Sequence, residues 1–334
     1  SPSTTNRSRR VTSASPCWAT EVAAGRGTEG QTMTSLSGCT FKMYSTVKAA
    51  AAQADIDFPT GGSVVAICGG TYLENNIVVT NDQTWIGASR ETVIIGSVAD
   101  SLTTATVAMS GAAVLSLYRL TVRASTGTGS TKGGIQCDGF SKLYAADSTF
   151  KGGASGTANS ARSAIVINTA AMPEFDNCDF DAFNGINSNT VGERAHNCRF
   201  TATGTAVAIR GSIDHKVKNC EFSGPAYGIY GISDRAEIVG NLFATTTAGI
   251  AQLAAGHIRS CTIKGNTFGN NDHSPTTGVD LSLVDSTLAN SDDNDIQDNK
   301  FYGVTTPIAF TSIGSTWRAF SALIADNTTN GSTW

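Results

Sequence analysis

Three short clusters of charge stand out in a chain that is otherwise poor in charge. Glu174, Asp176 and Asp179 form an acidic set. Arg194, His196 and Arg199 follow 20 residues later in the same relative positions, and Lys216, Lys218 and Glu221 come 22 residues after those. Two carboxylates a few ångströms apart are the tools of glycoside hydrolysis, one as acid and one as base or nucleophile. A Lys, Arg or His beside a bound carboxylate suits proton abstraction in a lyase. On that chemistry Asp176, Asp179 and His196 are the catalytic candidates. The binding candidates are Glu174, Asp176, Asp179, Arg194, His196, Arg199, Lys216 and Lys218. The same pattern has a second reading, in which acidic and basic rungs alternate as a ladder of surface ion pairs, each worth about 0 to 1 kcal/mol.

The clusters ride on a repeated phrase: E-F-D-N-C-D-F (174–180), R-A-H-N-C-R-F (194–200), K-V-K-N-C-E-F (216–222) and E-I-V-G-N-L-F (237–243). Its closing phenylalanines, Phe180, Phe200, Phe222 and Phe243, lie 20, 22 and 21 residues apart. A period of that size with an apolar anchor marks a solenoid, whose coils bury their apolar face only by stacking. Further rungs end at Phe150, Phe268 and Phe301, with insertions expected at 151–160 and 269–277. A second strand recurs between anchors, as in Ala164–Asn168, Ala206–Arg210, Gly249–Leu253 and Pro307–Phe310.

Alternation of period 2 assigns the faces. Phe175, Ala195, Val217, Ile238, Ile263 and Ile296 point inward, so the charged candidates point outward. Asp147, Asn177, Asn197, Asn219 and Asp298 read as turn residues whose side chains bond the adjacent backbone. Cys178, Cys198 and Cys220 share one column and read as reduced, buried, structural thiols. In the second strand the outward residues Val166, Asn187, Ala208, Tyr230, Ala251, Asp280 and Ala309 are mostly small, a face suited to a homotrimer contact.

The 334 residues carry 15% charge and a formal net charge of −4, which argues against nucleic acid as a partner. No apolar run is long enough to span a bilayer. Eight cysteines are too sparse for a disulfide scaffold, and the state of Cys17, Cys39 and Cys68 is left open. Residues 1–40 read as an arm ordered only by a partner, 41–320 as the solenoid, and 321–334 as an end cap. Ser45–Asp55 is the one good helix, capped by Ser45 or Thr46.

That helix, followed by V-V-A-I-C-G-G-T-Y-L-E-N (64–75) and W-I-G-A-S-R-E-T-V-I-I-G (85–96), resembles the opening of the pectin-lyase-like right-handed parallel β-helices. The superfamily holds pectin methylesterases, pectate lyases, polygalacturonases and bacteriophage tailspikes. The resemblance implies an all-β fold whose helix caps the open end. It implies no activity by itself. The enzyme motifs of the superfamily are incomplete here. Ser212-Ile213-Asp214-His215 matches three of four positions of a pectate-lyase motif, against a plain reading as a solvated turn. Asp292-Asp293-Asn294-Asp295 offers calcium a hard-oxygen site, against an acidic turn; no other cofactor is called for. His273 reads as a loop residue.

Two functions stay open. One is a tailspike-like virion appendage, trimeric, attached to other virion proteins through its N-terminal arm and adhering to a surface polysaccharide. The other is a polysaccharide lyase or glycoside hydrolase working along the charged face, on a virion or secreted. An adhesin passenger is a third class.

Overall fold

The computed structural model describes residues 19–22, 31–34, 40–96, 104–124, 133–152, 163–168, 173–188, 192–201, 207–210, 214–232, 234–252, 258, 260–282, 294–309 and 327–330. Nearly all strands pair in parallel, each with the strand one coil before and one coil after it. They build sheets of 13, 11 and 10 strands, called A, B and C below. One coil visits all three in turn. Glu174–Asp176 lies in sheet A, Asp179–Asp181 in sheet B and Asn184–Ser188 in sheet C. The chain is therefore a parallel β-helix.

The phenylalanine column is the spine of sheet B. Phe150, Phe180, Phe200, Phe222, Phe243, Phe268 and Phe301 are all buried. From Phe180 to Phe301 successive ring centroids stand 4.5–4.9 Å apart with planes within 10° of parallel. The strand spacing of about 4.8 Å dictates that distance, so one aromatic per coil stacks without adjustment. Sheet C makes room for the rings opposite. A Cβ at Gly228 would come within 2.5 Å of Phe243, and one at Gly249 within 2.5 Å of Phe268.

A single residue turns the chain from sheet A to sheet B. Arg119, Asp147, Asn177, Asn197, Asn219 and Asp298 hold that corner with φ between 51° and 56°, and Gly240 and Gly265 hold it at 69° and 64°. Glycine, Asn and Asp tolerate this left-handed backbone best, which accounts for the column. Their side chains do not bond the adjacent backbone, as the sequence suggested. Some tie neighbouring coils instead: Asn177 Nδ2 donates to Asp147 Oδ1 at 2.6 Å and Asn197 Nδ2 to Asp176 Oδ1 at 3.1 Å.

The residue after the corner turns inward and carries the interior polar ladder. Asn266 is typical. Its Oδ1 accepts from the Asn241 backbone N–H at 3.0 Å, while its Nδ2 donates to the Ile238 carbonyl at 2.9 Å. Asn241, Asn299 and Asn327 repeat the arrangement. In earlier coils Cys178, Cys198 and Cys220 occupy this place. Cys220 Sγ accepts from the Cys198 N–H at 3.4 Å and donates to the Ala195 carbonyl at 3.4 Å. The cysteines are free and buried, as expected, but they are hydrogen-bonding links as well as small apolar fillers.

The helix runs Val47–Asp57, with Thr46 as its N-cap. It buries Val47, Ala50, Ala51 and Ala54 over the open end of the coil. The Glu74 carboxylate accepts from the Val47 and Lys48 N–H groups at 2.8 and 2.7 Å, where a negative charge complements the helix N-terminus. Two segments of the leading region depart from the expected arm. Ala19–Val22 inserts in parallel between Thr40–Tyr44 and Ser63–Ile67, and Gln31–Thr34 pairs antiparallel with Thr40–Tyr44. Cys17 and Cys39 lie outside the described residues; the Cys68 carbonyl accepts from the Tyr72 hydroxyl at 2.9 Å.

The small-residue face of sheet C is covered only in part. Val166, Asn187 and Ala251 are buried within the single chain, while Tyr230, Asp280 and Ala309 are half-exposed.

Candidate functional site

Every charged candidate projects outward, but not onto one surface. The left-handed corner at residue 177 separates Glu174 and Asp176 on sheet A from Asp179 on sheet B, and the next coils repeat the division. The acidic and basic trios read from the sequence are thus split across two adjoining faces.

On sheet A, strand register aligns Ser116, Tyr144, Glu174, Arg194 and Lys216 in one outward column. Tyr118, Ala146, Asp176, His196 and Lys218 form the column beside it. A depression of about 300 Å³ opens here, walled by Tyr118 and Tyr144 and continued by Glu174, Asp176, Arg194 and His196. The small Ala146 lies between Tyr118 and Asp176 in the column and leaves the space. Arg194 Nη1 reaches Glu174 Oε1 at 2.8 Å across one coil. Tyr144 falls in the outward column that alternation gives, ahead of Glu174 and Arg194; Tyr118 went unremarked in the sequence because it precedes the regular phrase, and only strand register brings it against the charges.

On sheet B, Asp179 and Arg199 line a second depression, of about 450 Å³, with Arg90, Arg123, Lys151 and Asp181. Asp179 pairs with Arg90 at 3.1 Å, and Arg199 approaches Glu221 at 3.9 Å. Lys216 and Lys218 line neither depression. Lys218 pairs with Glu237 at 2.5 Å. Cross-coil ion pairs therefore link part of the charged face, as the second reading held, while among the described residues Asp176, His196 and Lys216 enter none.

The three remaining sequence candidates come out differently. His215 is fully buried and is neither a surface base nor part of a solvated turn. Its Nδ1 lies 2.9 Å from Glu193 Oε1, with Glu193 equally buried. Asp214 keeps to the surface, at φ 58°, and receives two hydrogen bonds from Arg235 at 2.6 and 2.8 Å. Those bonds hold its carboxyl below the usual range. Ser212 and Ile213 lie outside the described residues, as do Asp292 and Asp293. Asn294 is inward, with Oδ1 accepting from the Cys261 N–H at 3.1 Å and Nδ2 donating to the Ile258 carbonyl at 3.0 Å. An amide spent on the interior cannot ligate calcium at the surface. Among the described residues no group of three or more His, Cys, Asp or Glu is placed to hold a metal. His273 sits in the exposed 269–276 loop, where Asn270 Oδ1 accepts from its N–H at 2.7 Å. No helix among the described residues is long and apolar enough to cross a membrane.

Residues 184–332 match the family model described as the right handed beta helix region. No curated protein matches the chain in sequence. Among solved structures the chain is similar to the Dettilon tailspike protein at 11% identity and TM-score 0.43, covering 81% of this chain and 62% of that one. It is similar to tailspike protein 3 of bacteriophage CBA120 at 13% identity and TM-score 0.34, covering 86% and 59%. It is also similar to the A-module of the Azotobacter vinelandii mannuronan C-5 epimerase AlgE4 at 16% identity and TM-score 0.41, covering 86% and 96%. The chain thus spans about three fifths of the two tailspikes. At such identities and TM-scores the chemistry rests on the residues described above. Strand register and the family match together make the chain an all-β, right-handed parallel β-helix.

Proposed function

We propose that the chain is the glycan-binding β-helix of a tailspike-like surface appendage and that its first role is attachment to a polysaccharide. The observation that carries this reading is the sheet A depression. Two tyrosine rings stand beside carboxylate, guanidinium and imidazole groups on a rigid sheet. Tyrosine offers a flat apolar face with a polar tip, which suits the C–H face of a sugar ring, while Glu174, Asp176 and Arg194 supply acceptors and donors for its hydroxyls. A shallow site laid across stacked coils suits an extended polymer. A homotrimer and docking to other virion proteins through the leading segment belong to the same reading. With Val166, Asn187 and Ala251 covered, a trimer contact on the small-residue face would fall on Tyr230, Asp280 and Ala309.

A second reading has its own observation. Asp176 and His196 are direct partners on neighbouring strands and share the depression with both tyrosines, a set able to move protons. One experiment addresses both readings. The protein is titrated with a panel of bacterial surface polysaccharides, and the same mixtures are followed for reducing ends and for unsaturated-uronate absorbance. Attachment requires binding without product, weakened by Tyr118→Ala. Product formation abolished by Asp176→Asn or Asp179→Asn establishes the enzyme instead. Absence of binding across the panel removes the glycan reading.

A further inference from the structure

The larger depression, on sheet B, carries chemistry that the tyrosine-walled one lacks. Arg90 roofs it. The Ser89–Thr92 turn, closed by a hydrogen bond from the Thr92 N–H to Ser89 Oγ at 3.2 Å, lifts Arg90 off the sheet. From there the guanidinium reaches Asp179 at 3.1 Å, Glu91 at 3.3 Å and the Asn177 carbonyl at 3.4 Å. Arg90 is thereby fully engaged by carboxylates.

The cations beneath it are not. Arg123 makes no ion pair among the described residues. Lys151 stands 3.6 Å from Asp181, and Arg199 stands 3.9 Å from Glu221, both beyond a good hydrogen bond. The half-buried Arg123 side chain lies against Gly96 in the preceding coil, where an added Cβ would come within 3.3 Å of Nε and 3.4 Å of an Nη. Glycine at that position leaves room for the guanidinium to lie close to the sheet. The result is a positioned planar cation, unpaired among the described residues, in a cavity of about 450 Å³, with a flexible ammonium from Lys151 and the Thr149 and Thr201 side chains beside it.

We infer that this depression is an anion subsite, centred on Arg123, for the carboxylate or sulfate group of an acidic glycan. A guanidinium fork takes such groups through two parallel hydrogen bonds, and a cavity wall strengthens the attraction relative to open solvent. The inference rests on the glycan reading above and makes it narrower. The site adjoins the tyrosine-walled depression across the corner at Asn177, so one chain of sugars can touch both: ring faces on sheet A, the acidic substituent on sheet B.

The test is calorimetric titration with oligogalacturonate, oligoglucuronate, a sulfated oligosaccharide, and the carboxyl-reduced or desulfated neutral form of each. At least one acidic member is expected to bind about tenfold or more tighter than its neutral form, with the advantage shrinking as salt rises. Arg123→Gln and Gly96→Ala are expected to remove the acidic advantage, and Tyr118→Ala to weaken acidic and neutral forms alike. Circular dichroism confirms that each variant keeps the fold. Equal, Tyr118-dependent binding of acidic and neutral forms overturns the anion subsite and leaves glycan attachment standing. An acidic preference that survives both Arg123→Gln and Gly96→Ala also overturns it. Absence of binding by every oligosaccharide overturns both. Arg123-dependent binding of a control oligonucleotide with no acidic-glycan preference replaces the glycan by a phosphate polymer.

Discussion

Glu193 Oε1 and His215 Nδ1 meet 2.9 Å apart inside the coil, and neither side chain reaches solvent. The other imidazole nitrogen lies 3.3 Å from the Gly231 carbonyl, while among the described residues Glu193 Oε2 has no hydrogen-bond partner. A buried pair of this kind is costly to break from one side, because the remaining group is stranded. His215→Leu is therefore expected to destabilise the coil by about 3–5 kcal/mol. The double variant Glu193→Leu, His215→Leu is expected to recover most of that loss. Urea unfolding of the three proteins checks both; a single variant no worse than the double would remove the pair from the account.

The same pair sets a pH dependence. Burial works against the charged imidazolium, but the Glu193 carboxylate, through its field and its hydrogen bond, outweighs burial; the Gly231 carbonyl and the more distant Asp214 add to the effect. His215 is consequently held above its ordinary value of 6.5. A raised histidine contributes stability that is complete below the unfolded value and fades as pH rises through the folded one. The melting temperature of the native chain, measured against that of the double leucine variant, is expected to fall as pH climbs from about 6 through the folded value of His215. A flat difference over that window would show that His215 holds its proton no more tightly in the fold than in the unfolded chain.

Arg194 and Glu174 separate the two readings of the charged face. Their pair is 2.8 Å long but exposed on both sides, so Arg194→Ala is expected to change stability by less than about 1 kcal/mol. In the tyrosine-walled depression the same change removes a donor, and glycan affinity is expected to drop about tenfold. Thermal melting and titration on one preparation compare the two. Loss of stability without loss of affinity would leave only the ladder.

How much of this was legible depends on where a residue sits in the coil. Within strands, alternation distinguishes inside from outside, and Phe175, Ala195 and Val217 lie inside as the alternation requires. The phenylalanine spacing was equally readable, because a ring stacked at strand spacing must recur once per coil. At corners polarity and alternation can disagree. Glu193 and His215 point inward from a corner, 22 residues apart and two before the inward Ala195 and Val217; alternation carried one step beyond the strand places them inside, but their polarity argued for the surface. The site suffered the same way. Asp176 and Asp179 are three residues apart, yet one left-handed residue between them sends them to different faces. Arg90, Arg123 and Lys151 come from earlier coils where the repeat is less regular, so no column in the sequence joined them to Asp179.

Packing across the coil gives a sharper expectation. Gly249 faces the Phe268 ring, with an added Cβ only 2.5 Å from Cδ1 and 2.9 Å from the Gly278 carbonyl oxygen. Gly249→Ala overfills a closed core and is expected to cost about 1–3 kcal/mol. Phe268→Leu costs stability by itself, since it breaks the ring stack on both sides. In the double variant the two losses are expected to fall short of additive by about 0.5 kcal/mol or more, because the smaller side chain leaves room for the methyl group. Strict additivity in a double-mutant cycle would mean that the clash lies with the Gly278 backbone instead.

The interior column offers an exchange between two residue types. Asn266 accepts from the Asn241 N–H and donates to the Ile238 carbonyl; Asn266→Leu strands both groups in an apolar core. Each stranded group costs about 1–3 kcal/mol, so a loss on the order of 3 kcal/mol is expected. Cysteine fills the equivalent place in earlier coils and makes the same two contacts through sulfur, at 3.4 Å each for Cys220. Asn266→Cys is accordingly expected to be milder than Asn266→Leu. The reverse change, Cys220→Asn, replaces weak sulfur bonds with amide ones and extends the ladder by one coil. It is expected to leave the melting temperature unchanged or to raise it, provided that the amide fits beside Asn241. A Cys220→Asn variant that melts well below the native chain would show that sulfur there serves volume alone, and that hydrogen bonding at this position begins only with Asn241.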